Sequence, residues 1–292
     1  MHYAINIINF GDCGDARVLA DLAQDAEAAG WDGFFIWDHI AWDWGVMPMV
    51  DPWIALTAIA LSTERVRLGA MVTPIPRRRP WKFARETVSL DHLSDGRLVV
   101  GVGIGITKAE FDNLGEPGDF KIRGAMLDEG LEVVEKLWCG ESFSFDGQYY
   151  KIKDTQFLPA PQQSPRIPVW VAGMWPNRRP FRRAARWDGV FPIPAGGAPE
   201  EMLTPDDIRD IMAYVQRYRG SDRPFDVSIG GDTPGDDPAR AAETVSPYAA
   251  AGVTWWHEAI HGFRPDLAQR AEESSWVDAM RWRILQGPPR IE

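Results

Sequence analysis

Short apolar runs alternate with longer amphipathic segments along the whole chain. Three joints between them are near copies: EAAGWDGFFIW at 27–37, RAARWDGVFPI at 183–193 and YAAAGVTWWHE at 248–258. Each pattern is typical of the end of an alanine-rich helix, then a turn residue such as glycine, then an aromatic or β-branched strand. Recurrence of a helix-then-strand joint indicates a repeated βα unit.

The remaining runs extend this alternation. Helices are predicted over about 15–29, 52–62, 80–94, 126–140 and 204–219, and strands are predicted to begin near 3, 33, 66, 97, 167, 189, 225 and 253. Eight strands separated mostly by helices predict an α/β fold, a parallel (β/α)8 TIM barrel, as one domain over 1–292. The longest interval, 104–166, is predicted to be an insertion between strands four and five that carries a hairpin around Asp146-Gly147.

Composition narrows the class of partner. The net charge of −11 disfavours nucleic acid and anionic membranes, and no segment approaches the roughly 18 apolar residues of a membrane span. Cys13 and Cys139 are far apart and form no metal or redox motif, which indicates a reduced, cytoplasmic setting. The segment MHYAINIINF at 1–10 lacks a basic region and has only a short apolar run, so no signal peptide is expected. The 14 tryptophans predict aromatic-lined concavities and hence an apolar or aromatic substrate.

The stretch GFFIWDHIAWDWG, residues 33–45, places chemistry after the second strand. The carboxyl ends of the strands form the active-site face of such a barrel. His39 is the candidate for proton transfer, a role that histidine performs well near neutral pH, and Asp38 is predicted to orient it or to cap the following segment. Trp42 and Trp44 are predicted to wall the substrate pocket. The alternative is a structural histidine held within the barrel rim.

Residues 257–261, HEAIH, match the zinc-protease pattern H-E-x-x-H, which requires a helix. The preceding GVTWW is strand-like, and in an extended chain the two histidines lie about 13 Å apart, too far to share one ion. No metal is therefore expected here. Because the segment ends strand eight, His257 or Glu258 is predicted to face the pocket.

The segment GVGIG at 101–105 lacks the G-x-G-x-x-G spacing of a dinucleotide fold. Its glycines, Gly103 and Gly105, are predicted to let a flat ligand approach the backbone at the mouth of strand four.

Five ordered segments resemble the luciferase-like monooxygenase family of flavin- and deazaflavin-dependent barrels, and the similarity extends over about residues 1–275. They are WDHI (37–40), TPIPRRRPWKFARETVSLDHLSDGRLVVGVGIG (73–105), GESFSFDGQYYKIKD (140–154), PAPQQSPRIPVWVAG (159–173) and RAARWDGVFP (183–192).

This resemblance implies that FMN or the deazaflavin F420 binds in a groove at the carboxyl face. The ring is expected against the end of strand three, at a non-prolyl cis peptide, on Met71, Val72 and Thr73. The phosphate is expected after strand five, on Gly173, Met174 and Trp175, where a helix begins near Asn177; a helix N-terminus is itself an anion site. Arg178 and Arg179 either contact that phosphate or are solvated surface residues.

The function implied is a flavin-type oxidoreductase acting on a small organic, apolar substrate. With FMN it would be a monooxygenase that depends on a flavin reductase partner; with F420, which the WDH motif slightly favours, it would transfer hydride. The family is also compatible with a homo-oligomer formed through the outer helices. Two alternatives remain, a metal-dependent barrel hydrolase and a non-catalytic flavin-binding protein.

Two departures from the family pattern affect these expectations. Ile106-Thr107-Lys108 stands where the sugar-phosphate F420 dehydrogenases are expected to carry an acidic residue, which counts against that activity. WPNRRP at 175–180 replaces a small, glycine- or serine-rich loop, so phosphate binding is expected to be altered.

Overall fold

The computed structural model describes residues 1–43, 45–196, 201–262 and 264–291. The strands are β1 (His2–Ile7), β2 (Gly33–Ile36), β3 (Arg67–Ala70), β4 (Thr73–Pro74), β5 (Val100–Gly103), β6 (Phe143–Asp146), β7 (Lys151–Thr155), β8 (Val169–Trp175), β9 (Gly189–Pro194), β10 (Asp226–Gly231) and β11 (Trp255–Ile260). The helices are α1 (Ala16–Ala28), α2 (Pro52–Ser62), α3 (Pro80–Leu93), α4 (Phe120–Trp138), α5 (Arg178–Ala184), α6 (Pro205–Gln216), α7 (Pro238–Ala250), α8 (Pro265–Glu273) and α9 (Trp276–Leu285).

Nine strands form one parallel sheet in the order β3-β2-β1-β11-β10-β9-β8-β5-β4. The sheet closes on itself where the backbone N–H of Leu68 donates to Arg97 O and the N–H of Val99 donates to Leu68 O. The predicted (β/α)8 barrel is confirmed, with β3 and β4 as the two halves of an interrupted third strand. No helix of the described ranges has the length and apolarity needed to cross a bilayer.

The lumen of the barrel is filled at depth and open at the carboxyl end. The side chains at depth are at most 9% exposed, and they are Ala4, Phe35, Met71, Val99, Trp170, Phe191, Trp255 and His257. One step further toward the carboxyl end, the residues are only half-buried: Trp37, Val72, Ala172, Met174, Ile193, Gly230 and Ala259. Inward-facing residues with partial exposure border an open space. The carboxyl end of the lumen, where the active-site face is predicted, is therefore accessible to solvent.

The interval between β5 and β8 contains α4 and an antiparallel hairpin, β6 with β7. The predicted hairpin is confirmed. Helix α4 begins earlier than predicted because the Asp119 carboxylate caps it, accepting from the N–H groups of Lys121 and Ile122. The hairpin is fixed to α4 by Glu129, whose carboxylate accepts from the backbone N–H groups of Gln148, Tyr149 and Tyr150.

Candidate active site

A buried carboxylate holds the histidine that follows β2. The Nδ1 atom of His39 lies 3.0 Å from Oε1 of Glu110, and the same oxygen accepts the backbone N–H of Ile40 at 2.8 Å. The Glu110 side chain is fully buried, whereas that of His39 is 13% exposed. Glu110 belongs to the loop after β5, so the dyad joins the carboxyl ends of two different strands.

Glu110 is held as an anion. Burial is the largest influence and would raise its pKa, but the hydrogen bond from His39, the charges of Arg77 and His39 and the N–H of Ile40 together lower that pKa to about 2. An ionised carboxylate can only accept, so Nδ1 of His39 carries the proton in this pair. Nε2 of the neutral ring is then an acceptor, the arrangement that a general base requires.

Asp38 does not orient His39, contrary to one of the two sequence-based expectations. Its carboxylate pairs with Nη2 of Arg77 at 2.5 Å and of Arg78 at 2.9 Å, and it accepts from the Thr73 hydroxyl at 2.7 Å. Successive side chains of extended backbone point in opposite directions, so Asp38 turns toward β4 and its neighbour His39 toward Glu110. Asp38 therefore links β2 to the interrupted third strand.

An aromatic cluster surrounds His39. The ring of Trp42 lies 4.5 Å from it, that of Trp37 5.7 Å and that of Phe10 6.1 Å, measured between ring centroids. Trp37 also lies 6.0 Å from His261, which follows β11. The structure thus brings Trp42 beside the proposed proton-transfer residue. Trp44, the other predicted wall residue, lies outside the described residues.

Of the three residues at the end of the third strand, only Val72 borders the open lumen. The Met71–Val72 peptide is cis and non-prolyl, as the family resemblance implies. Met71 lies in the filled layer below, and Thr73 is fully buried with its hydroxyl on Asp38. A ligand can therefore contact Val72, while the buried neighbours Met71 and Thr73 hold Val72 in place.

Gly103, the last residue of β5, and Gly105, just after it, have different neighbours. A Cβ at Gly103 would lie 2.9 Å from Cγ2 of Val72, so the glycine allows Val72 to pack closely against β5. Gly105 has a φ of +75°, and a Cβ there would collide with the Phe111 ring. Chain packing alone explains Gly105.

The segment expected to hold phosphate is partly structural. Met174 is half-buried at the lumen, but Trp175 faces the outer layer, 5.2 Å from Phe181, and α5 packs where a side chain at Gly173 would lie. The N–H of Asn177 already donates to Met174 O. Packing against α5 therefore accounts for Gly173 and Trp175 without any contact to a phosphate group.

The arginines at the start of α5 are exposed. The guanidinium of Arg178 stacks 4.0 Å from Trp175 and 5.1 Å from Tyr214, and Arg179 lies at the surface. Helix α5 does begin next to Asn177, as expected, although Asn177 makes no side-chain cap.

His257 and Glu258 do not line the open pocket. His257 is fully buried in the filled layer, 4.8 Å from Phe35 and 5.7 Å from Phe191, and burial lowers its pKa to about 3. Glu258 points the other way, because alternate residues of a strand face opposite sides. It accepts from Thr233 and pairs with two arginines, Arg264 and Arg283.

The interpretation of HEAIH as strand rather than helix is confirmed, since β11 runs through Ile260. Within the ranges that the structure describes, His, Cys, Asp and Glu side chains form no group of three or more that could hold a metal ion.

Glu110 was not among the site residues predicted from the sequence, and no role was predicted for Arg77 and Arg78. The run Arg77-Arg78-Arg79, directly after the third strand of an acidic chain, was an available signal for buried carboxylate partners. Glu110 lies two positions beyond 106–108, the segment where an acidic residue was expected from the resemblance to sugar-phosphate F420 dehydrogenases.

Three comparisons extend these observations. The family model for luciferase-like monooxygenases matches residues 8–286. The F420-dependent glucose-6-phosphate dehydrogenase of Tsukamurella paurometabola is 36% identical over 281 residues, which is 93% of this chain and 81% of that protein.

Two solved structures share the fold. The coenzyme F420-dependent tetrahydromethanopterin reductase of Methanopyrus kandleri has a TM-score of 0.74 at 17% identity, covering 98% of both chains. The oxygenating constituent of 3,6-diketocamphane monooxygenase from Pseudomonas putida, in complex with FMN, has a TM-score of 0.75 at 16% identity, covering 100% of this chain and 99% of the other. The barrel, its interrupted third strand and the matched family model lead to one conclusion: this chain belongs to the luciferase-like monooxygenase family.

Proposed function

We propose that the protein is an F420-dependent oxidoreductase in which His39 moves a proton to or from a small organic substrate. The observation that carries this proposal is the hydrogen bond between His39 Nδ1 and the buried, ionised Glu110, at the open end of the barrel. That bond leaves Nε2 as the proton acceptor in the neutral ring.

The upper lumen suits a flat ring system. Gly103, Ala172 and Gly230 carry little or no side chain at this level, and a Cβ at Gly230 would meet nothing closer than 3.9 Å. Val72 and Met174 are half-buried beside them. These residues would hold the deazaflavin ring, and the filled layer containing Phe35 and Trp170 would form the floor beneath it.

When bound, F420 supplies or accepts a hydride. The protein's residues do the rest. Glu110 fixes the tautomer and orientation of His39, which accepts or returns a proton at Nε2. Phe10, Trp37 and Trp42 pack around the imidazole and exclude water from it, which strengthens its charge interactions.

Sequence similarity favours F420 over FMN. Relatives named as F420-dependent dehydrogenases are 29–36% identical over 93–94% of this chain, whereas the FMN-bound structure is 16% identical and supports the fold alone. FMN would make the protein a monooxygenase that requires a flavin reductase as partner.

Titration of the purified protein with F420, FMN and reduced FMN, followed by quenching of tryptophan fluorescence, tests the cofactor. We expect F420 to bind at least about tenfold more tightly than either form of FMN. Ala172→Phe should fill the lumen and abolish this preference, whereas Ala58→Phe, a half-buried position on the outer helix α2, should not. Tighter binding of reduced FMN would indicate a monooxygenase. Binding of neither cofactor would reject the assignment.

A further inference from the structure

The arginines next to His39 are already neutralised. Arg77 and Arg78 both pair with Asp38, and Nη2 of Arg77 also lies 3.7 Å from Oε1 of Glu110. Arg78 also lies 3.9 Å from Glu86, so the two guanidinium groups face three carboxylates. An anionic ligand entering here would have to displace a buried carboxylate from its partners, which is energetically unfavourable.

The arginines after β11 are neutralised in the same way. Arg264 and Arg283 contact Oε1 of Glu258 at 2.5 and 3.2 Å, and Arg264 also pairs with Asp266 at 2.7 Å. Both arginine side chains are at most 3% exposed. They lie on the outer side of β11, toward which Glu258 points, and are engaged there.

Arg123, on the first turn of α4, is engaged by the backbone. Its guanidinium donates to the carbonyl groups of Ile104, Gly105 and Gly118 and stacks 4.0 Å from the ring of Phe111. The remaining basic residues that follow the barrel strands at this face are solvent-exposed; they are Arg79, Lys108, Arg178 and Arg179. The residues outside the described ranges include no lysine or arginine.

Apolar groups instead border the entrance. Ile40 and Ile106, on the loops that carry His39 and Glu110, are 44% and 53% exposed. Inside, the half-buried Ile193 and Trp37 continue this surface toward the filled layer. Such a lining favours the transfer of apolar surface from water, and none of these four side chains carries a charge that could compensate an anion.

From this charge distribution we propose that the substrate is an uncharged apolar or aromatic molecule and not a phosphorylated sugar. The inference rests on the proposed function only in that it concerns the same pocket. It separates this chain from relatives named for glucose-6-phosphate. A phosphate dianion would enter a mouth whose buried arginines are all committed to carboxylates or carbonyl groups.

Matched neutral and charged probes test the inference by direct binding. Calorimetric titration of the protein, with and without F420, compares benzyl alcohol with phenyl phosphate and glucose with glucose-6-phosphate. We expect benzyl alcohol to bind at least about tenfold more tightly than either phosphate, because an uncompensated charge is costly to desolvate. Tighter binding of a phosphate, lost in Lys108→Ala, would overturn the proposal.

Variants provide a second criterion. Ile40→Arg, which adds an unpaired cation at the entrance, should raise the affinity for phenyl phosphate about tenfold or more. Leu61→Arg, on the exposed face of α2, should not change it. An unchanged affinity for phenyl phosphate in Ile40→Arg would contradict the view that phosphates are excluded because the entrance lacks an available positive charge.

The failure of one proposal can be told from the failure of the other. Preference for the neutral probe without F420 binding would reject the cofactor assignment alone. F420 binding with a preference for the phosphate probe would reject the substrate class alone.

Discussion

The pair of His39 and Glu110 joins residues 71 positions apart in the chain. Because the pKa of Glu110 is about 2, this carboxylate stays ionised near neutral pH and does not itself donate a proton. In the proposed function, Glu110 would fix the ring of His39 and stabilise the positive charge that the ring acquires on protonation. Proton transfer would then be the task of His39 alone.

Removing either member should reduce turnover while leaving cofactor binding intact. We expect His39→Gln and Glu110→Gln to lower kcat by about a hundredfold or more, the usual contribution of general acid–base catalysis. The affinity for F420, measured by fluorescence, should change little, since neither substitution alters the lumen wall. His92→Gln, at an exposed helix position, serves as the control. Unchanged turnover in His39→Gln would favour a non-catalytic cofactor-binding protein.

His257 is a buried histidine whose apolar surroundings disfavour the protonated, charged form of the ring. Both ring nitrogens are buried among aromatic side chains, and desolvation lowers the pKa from 6.5 to about 3. Between these two pH values the unfolded chain binds one proton more than the folded chain. The free energy of unfolding therefore falls as the pH falls through this window.

The shifted pKa of His257 should lower the free energy of unfolding by about 2 kcal/mol between pH 7.5 and pH 5.0, calculated from the two pKa values. Urea unfolding of the wild type and of His257→Leu at both pH values measures this decrease. The variant should lose about 2 kcal/mol less than the wild type, because leucine does not titrate. His2→Gln, which removes an exposed histidine, should retain the wild-type dependence. Equal losses in wild type and His257→Leu would show that His257 is protonated in the fold.

At the scale of elements, the contact between β3 and β5 determines how the barrel closes. A Cβ at Gly69 would collide with the carbonyl oxygen of Val99, and one at Gly101 would collide with the carbonyl of Ala70. Glycine is therefore required on both strands where their backbones approach. The same close approach supports Val72 at the lumen.

Gly69→Ala should destabilise the protein by about 1–3 kcal/mol, because the backbone of β5 must move to accommodate the methyl group. Gly220→Ala is the matched control, since a Cβ there has no neighbour within 4 Å and the position is exposed. It should change the free energy of unfolding by less than about 0.5 kcal/mol. The denaturant midpoints of the two variants, each compared with that of the wild type, measure these changes in stability. Equal stability of the two variants would mean that the barrel closes with more freedom than the backbone geometry indicates.

At the scale of the molecule, a buried ionic network ties the end of the barrel to the last helix. Glu258 on β11 pairs with Arg283 on α9 and Arg264 before α8, and it also accepts from the hydroxyl of Thr233 after β10. These groups neutralise one another. Removing the carboxylate would leave the buried guanidinium of Arg283 without its ion-pair partner and Arg264 with the half-exposed Asp266 alone.

Glu258→Gln should therefore lower the free energy of unfolding by about 3–5 kcal/mol, the usual cost of breaking a buried ion pair. Asp266→Asn removes a half-exposed partner of Arg264 and should cost about 1 kcal/mol or less. Thermal and urea unfolding of both variants test the difference. If Glu258→Gln were no more harmful than Asp266→Asn, Glu258 would have to be reassigned as a ligand-facing residue.

The sequence by itself determined the barrel, because the periodic alternation of helix and strand is a local property repeated along the chain. It also placed His39 at the active-site face and marked HEAIH as strand. Residues 71–73 were correctly placed at a non-prolyl cis peptide through the family resemblance. Each of these inferences needed only neighbouring residues or an ordered series of motifs.

Only the tertiary structure decided which side chains act together. Asp38 and His39 are adjacent in sequence, yet they point to different partners, and Glu110 reaches His39 from another strand. Likewise, His257 and Glu258 face opposite sides of β11, one toward the aromatic interior and one toward Arg264. Partner choice depends on the strand register and on the folding of distant loops toward one another. Local patterns contain no information about either.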